Sequence, residues 1–445
     1  MGVKMLRSHA EFLRHFWQLA IVNILSNLMV PLAGLMDVAF LGHLAEIRHL
    51  AGVALATVLF NYIYWTFGFL RMGTTGMTAQ AMGREDREAV LLTGLRNGAL
   101  ALGLGLTILV LQQPLRAIGF ALLSATPEVK AAGQAYYNAL IWGAPATLLN
   151  FVLIGWFLGR SQSGKVLLLS AVSNLTNVAL DYLLVVQWGW ESTGAGLGTA
   201  ASQYLMLLVG SILVSREVSF GQVRSLAGIL NLVALRAAFV LNGEILLRTF
   251  ALVSTFAAFT NLSSALGTQV LSTNALLLQV VTLAAYFIDG LAFATETLAG
   301  VFRGKGAIAQ LNLLIWVSGA ASLGLGLLFA IAFILTPLPL FRLLTNHAEI
   351  LTQISSYVGW LLPVLGFGGI AYMLDGYFLG LTEGRILRSS VVTATLVGFA
   401  PTAVAAWYLG NSHLLWLSLS LFMLVRAASL GVQVPRTLKL VNKGN

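Results

Sequence analysis

The chain has 445 residues, of which 58% are hydrophobic and only 9% charged, against about a quarter charged in soluble domains. No soluble fold buries that much apolar surface, so the composition dictates a polytopic membrane protein. The absence of cysteine excludes disulfides and Cys-based metal or redox chemistry. The net charge of +9 reads as membrane topology rather than nucleic-acid binding, because cytoplasmic loops collect Lys and Arg.

About 20 apolar residues suffice to cross the hydrocarbon as a helix. Twelve such spans are predicted, near 16–41, 50–81, 89–113, 130–159, 165–187, 194–215, 236–261, 268–302, 307–335, 349–381, 386–409 and 412–434. Lys4, Arg7, Glu11 and Arg14 precede the first span without an Ala-x-Ala-type end, so that span is expected to stay in the protein. Arg84, Arg87, Arg160, Lys165, Arg216, Arg224, Arg236, Arg303, Lys305, Arg385, Arg388 and the basic residues of both ends share one face. The other face holds only Arg48, Arg116, Lys130 and Arg342. Both termini are therefore predicted to be cytoplasmic.

Ala101-Leu102-Gly103-Leu104-Gly105-Leu106 returns as Ser322-Leu323-Gly324-Leu325-Gly326-Leu327. Gly155-Trp156-Phe157-Leu158-Gly159 returns as Gly376-Tyr377-Phe378-Leu379-Gly380, and Gly83-Arg84 as Gly304-Lys305, all at an offset of 221. A shared offset implies two homologous halves, 1–221 (spans 1–6) and 222–445 (spans 7–12), joined by a polar connector over about 215–235 that reads weakly as a surface helix. Six spans per half give both halves the same orientation, related by a pseudo-twofold axis along the membrane normal. Such repeats are the mark of transporters. The predicted fold class is all-α integral membrane, with twelve transmembrane helices in two six-helix lobes.

Six acids fall inside spans: Asp37, Asp181, Glu244, Asp289, Glu296 and Asp375. Each costs about 2.5–3.5 kcal/mol at a helix centre, so they must face protein or water. Asn174, Asn177 and Asp181 stand at i, i+3 and i+7, on one face of the fifth span. Burial favours a neutral carboxyl and amide donors favour a carboxylate, the opposition by which a proton site is tuned; the competing reading is an interhelical clamp. Asp37 follows Pro31 late in the first span, and Asp181 lies about 24 Å of helical rise beyond Lys165. Both reach the outer half of the bilayer, where two carboxylates can couple. Glu244 and Arg248, acid first at i, i+4, are expected to form a structural ion pair. Asp289, Glu296 and Asp375 either line a second-lobe cation path or pair with arginines such as Arg248. Gly159-Arg160-Ser161-Gln162-Ser163-Gly164-Lys165-Val166 imitates a P-loop but puts Val166 where a Mg²⁺-binding hydroxyl is required. His43, His49, His347 and His413 are assigned to outer loops, without metal-ligand spacing.

These residues resemble the multidrug and toxic compound extrusion (MATE) family, in particular its bacterial DinF-like branch. The resemblance rests on Gly34-Leu35-Met36-Asp37, Arg71-Met72-Gly73-Thr74-Thr75-Gly76 with Ala79-Gln80, Gly155 to Gly159, Asn174 to Asp181, Glu244 with Leu247-Arg248, Asp289-Gly290 with Glu296, and Leu374-Asp375-Gly376. It implies V-shaped paired lobes that alternate between inward- and outward-open states. It also implies export of amphipathic, often cationic drugs in exchange for H⁺ or Na⁺. By resemblance, Asp37 and Asp181 are the coupling acids, with Tyr136, Asn174, Asn177 and Thr199 as hydrogen-bonding neighbours. Relatives commonly carry Leu-Ala-x-Pro early in the first span, where this chain reads Leu19-Ala20-Ile21-Val22. Bending of that helix is therefore expected at Pro31.

The predicted function is a multidrug antiporter of the bacterial cytoplasmic membrane, working as a monomer without a cofactor. A lipid or lipid-linked oligosaccharide flippase shares the architecture, but buried acids outnumber buried bases here, which favours cationic cargo. An intramembrane enzyme would need a signature such as His-Glu-x-x-His, which is missing.

Overall fold

The computed structural model describes residues 9–42, 46–218, 231–342 and 348–443. These contain twelve helical segments long and apolar enough to span a membrane. They are α1 His9–Gly42, α2 Ile47–Gly83, α3 Arg87–Val110, α4 Pro127–Gly159, α5 Ser163–Gln187 and α6 Glu191–Ser215, then α7 Leu235–Ala265, α8 Thr268–Lys305, α9 Ile308–Leu335, α10 Glu349–Gly380, α11 Gly384–Leu409 and α12 Ser412–Lys439. Each matches a predicted span, and the chain is a multi-pass membrane protein. Short helices Gln112–Leu122 and Pro337–Arg342 follow α3 and α9. The connector over 219–230 lies outside the described residues, as do His43 and His347.

Local chemistry sets the helix ends. Asp86 caps α3 by accepting from the Ala89 amide at 2.9 Å, and Thr126 does the same for α4, with Pro127 at its first position. Gly306 and Gly410, at φ +68° and +62°, stop α8 and α11 in the left-handed conformation that needs no Cβ. The P-loop look-alike is a helix stop of the same kind. Ser161 adopts φ +58°, the Gln162 amide closes onto the Phe157 carbonyl at 2.9 Å, and Arg160 and Lys165 both pair with Glu217. Its repeat mate behaves alike: Thr382 sits at φ +58° and the Glu383 amide meets the Phe378 carbonyl at 3.0 Å.

Five spans depart from plain α-helix, which hydropathy does not reveal. A turn at Phe67–Gly68 interrupts α2, a 3₁₀ turn at Ile141–Gly143 interrupts α4, and π turns at Tyr182–Gln187 and Ala394–Phe399 interrupt α5 and α11. A further 3₁₀ turn, Val358–Trp360, breaks α10.

The chain packs as two compact units. One comprises Met1–Asn27, Ala79–Glu85 and Val240–Asn445, and the other Leu28–Thr78 and Asp86–Phe239. Thus α1 passes from the first unit to the second one turn before Pro31, and α2 ends in the first unit. The repeat recurs in the packing. A Cβ built on Gly155 would stand 2.4 Å from the Arg71 carbonyl oxygen; on its mate Gly376 it would stand 2.4 Å from that of Ala292, the mate of Arg71. In the first unit two mates meet directly. A Cβ on Gly83 would lie 2.9 Å from the Gly304 Cα and 2.2 Å from the Val301 oxygen, and one on Gly304 would lie 2.9 Å from the Gly83 Cα and 2.2 Å from the Gln80 oxygen. Gln80 fastens this crossing by donating to the Gly380 carbonyl at 3.0 Å and the Thr382 hydroxyl at 3.1 Å.

Because backbone cannot yield as a side chain tip can, Gly83→Ala or Gly304→Ala is expected to destabilise by about 1–3 kcal/mol. Thermal unfolding of detergent-solubilised protein checks this, with Gly103→Ala as control, since Gly103 has open space around its Cα. A Gly83→Ala variant melting with the control would contradict the close crossing.

Candidate functional site

In the second unit, α5 packs against α6, and α6 against α4. Asp181 occupies the last α-helical position of α5, immediately before the π turn. That widened turn is a backbone form frequent at functional sites. The residue is 1% exposed. The Asn177 amide donates to Asp181 Oδ2 at 3.1 Å and to Thr199 Oγ1 on α6 at 3.2 Å, while Thr199 returns its own proton to the Ala195 carbonyl at 3.0 Å. Gly198 makes room for the acid: a Cβ there would stand 2.2 Å from Asp181 Oδ1. Tyr136, also buried, lies on α4 where its carbonyl abuts Gly196.

Of the predicted first-lobe residues, the structure thus joins Asp181, Asn177 and Thr199, and places Tyr136 on the helix packed beside them. Asn174 is not joined to them. Its amide turns back to the Ser170 carbonyl at 2.7 Å, because i+7 from Asn174 to Asp181 is about 10 Å along the axis. Asp37 is on α1, but its side chain lies outside the described ones. Pro31 lies inside α1, which continues as helix through it.

Sequence reasoning missed a second polar step one turn deeper. The Asn150 amide donates to the Gln203 carbonyl at 2.9 Å and side-chain oxygen at 3.0 Å, and Gln203 donates to Ser173 Oγ at 3.3 Å. The signal was present as i, i+4 spacing: Ser173, Asn177 and Asp181 on α5, Thr199 and Gln203 on α6.

The first unit holds a different cluster. Asp375 Oδ2 on α10 receives both Arg248 from α7 and Arg426 from α12, with all three residues buried. The Arg426 guanidinium also lies over the Tyr372 ring at 5.2 Å. The predicted Glu244–Arg248 pair does not form. Glu244 instead binds Arg388 of α11 at 3.0 Å, because the face carrying Arg248 meets Asp375 and tertiary contact overrides helical spacing. Glu296 is fully buried and Asp289 half-buried on α8. Two histidines are corrected as well. His49 is a buried residue of the first turn of α2, and His413 lies in the first turn of α12 against the Tyr357 ring at 4.6 Å.

The comparisons agree with this architecture. The MatE family model matches twice, over residues 23–183 and 245–404, one match in each predicted half. DNA damage-inducible protein F of Escherichia coli (strain K12) is 35% identical over 421 residues, covering 93% of this chain and 90% of that protein. Two solved structures share the fold over nearly the whole chain. A MOP superfamily transporter from Pyrococcus furiosus has TM-score 0.88 at 19% identity, covering 99% of this chain and 98% of that one. A multidrug resistance MATE family transporter in its outward-facing conformation has TM-score 0.87 at 18% identity, covering 99% of each. With twelve spans, a repeat carried into the packing and a family match in each half, the chain belongs to the MatE family.

Proposed function

We propose that this protein is a secondary active exporter of the bacterial cytoplasmic membrane, with both termini cytoplasmic. It exchanges amphipathic, mostly cationic compounds for protons by alternating access. The observation that carries this reading is Asp181: a fully buried carboxyl at a π turn, accepting from the Asn177 amide and seated on a glycine. A purely structural clamp needs no titratable group there, whereas an antiporter needs a site that proton and substrate favour in different states. Asp37 is the proposed partner acid, with Tyr136, Asn177 and Thr199 as neighbours and Pro31 as the point where α1 repacks. Stacked rings of the same unit suit a cation: Phe60 stacks with Tyr64 at 5.5 Å and with Tyr137 at 5.2 Å. The two guanidinium groups on Asp375 act as its internal counter-ions, so the coupling acid is assigned to the second unit.

Proteoliposome efflux of a fluorescent hydrophobic cation, driven first by an imposed proton gradient and then by a sodium gradient, tests the reading. Efflux under the proton gradient is expected. Response to sodium alone would replace the coupling ion, and lipid movement without any cation efflux would replace exporter by flippase.

A further inference from the structure

The second unit contains another pair of titratable groups, at the end of the bundle that the charge distribution assigns to the outside. His49 is only 6% exposed, yet both of its ring nitrogens have oxygen neighbours on α6. Nε2 lies 3.1 Å from Glu191 Oε2, and Nδ1 lies 3.0 Å from the hydroxyl of Ser192, itself 1% exposed. The carboxylate, by contrast, is 46% exposed at the side chain. Exposure therefore falls from Glu191 through His49 to Ser192.

The backbone is held out of its ordinary conformation to achieve this. Glu191 adopts φ +49°, a left-handed placement that is costly for a residue with a long side chain and is maintained only where the surroundings over-determine it. An imidazole is suited to such a position, because it takes a proton on one nitrogen and releases one from the other. From Ser192 the same helix runs seven residues inward, about 10 Å, to Thr199, which shares the Asn177 amide with Asp181. Among the described residues, the other charged groups at this end of the elements packed here are Glu46, the N-cap of α2, and Arg48 in its first turn, paired with each other, and Glu128 and Lys130 in the first turn of the packed α4.

We propose that Glu191 and His49 form the outer station through which protons from outside are taken up on their way to Asp181. This rests on the proton-coupled reading above. Glu191 collects a proton from solvent, passes it to His49 Nε2, and His49 releases a proton from Nδ1 toward Ser192 and the interior of the second unit. No bond other than N–H and O–H changes.

The test is the dependence of proteoliposome cation efflux on outer pH, from about 5.5 to about 8, for wild type, His49→Gln and Glu191→Gln. Glutamine keeps hydrogen bonding at both positions but does not titrate. Wild-type efflux is expected to rise as outer pH falls. Each variant should keep its rate at the acidic end and lose roughly tenfold or more at the alkaline end, so that its profile moves to lower pH. Variants that superimpose on wild type, or that are folded but equally slow at every pH, would overturn the station and leave a structural contact. A wild type indifferent to outer pH would instead bring down the proton-coupled reading on which the station depends.

Discussion

Replacing Asp181 with Asn is expected to abolish gradient-driven efflux while leaving the protein folded. Asn preserves size, accepts the Asn177 amide through its own carbonyl oxygen, and fits the space above Gly198, so the packing of α5 on α6 is retained. What it removes is the proton. Exchange requires proton and substrate to bias different states, with a coupling free energy that ordinarily corresponds to about 5–150-fold in affinity. Without a titrating group at this position, efflux driven by a proton gradient should fall by at least about tenfold. Substrate binding measured without a gradient should persist. Efflux at the wild-type rate, in a variant purified with an unchanged melting profile, would make Asp181 a structural clamp.

The second large effect concerns stability. Asp375 accepts from Arg248 and Arg426 in a region where all three residues are buried. Removing one member of a buried ion cluster leaves charge uncompensated and costs about 3–5 kcal/mol. Asp375→Ala is therefore expected to lower the thermal unfolding midpoint severely and reduce the yield of folded protein. Pairing it with Arg248→Met should recover part of the loss, because the double variant buries fewer unpaired charges; residues in contact couple in this non-additive way. If Asp375→Ala melts like wild type, the cluster contributes no stability. If the double variant is destabilised by the full sum of the single changes, the three groups do not act together.

Much of this architecture was legible in the sequence because a bilayer imposes a simple rule. Every backbone group must be satisfied within the spanning element, so apolar length alone located all twelve segments. The offset of 221 was equally informative, since Gly155 and Gly376 are small for the same reason in both halves: each lies on the carbonyl of a repeat-related residue. The polar partners were less accessible. Helical spacing aligned Asn174 with Asp181, but it does not show that the Asn174 amide finds a nearer acceptor in Ser170. It paired Glu244 with Arg248, although an arginine in α7 is equally free to reach an acid 127 positions away. The π turn after Asp181 carries no hydropathic signature, since a changed hydrogen-bond register leaves composition untouched. His49 was assigned to a loop, one residue before the predicted second span, whereas the structure buries its ring against α6.

The central claim is obligatory exchange of substrate for protons, and the most direct measurement runs it in reverse. Lightly buffered proteoliposomes, with equal pH inside and out, are given a gradient of hydrophobic cation while internal pH is followed. Because coupling between two ligands is reciprocal, cation moving down its gradient should drive protons the opposite way. The resulting pH change should persist in sodium-free medium and vanish in the Asp181→Asn variant. Cation movement by the wild-type protein with no displacement of protons would contradict the account.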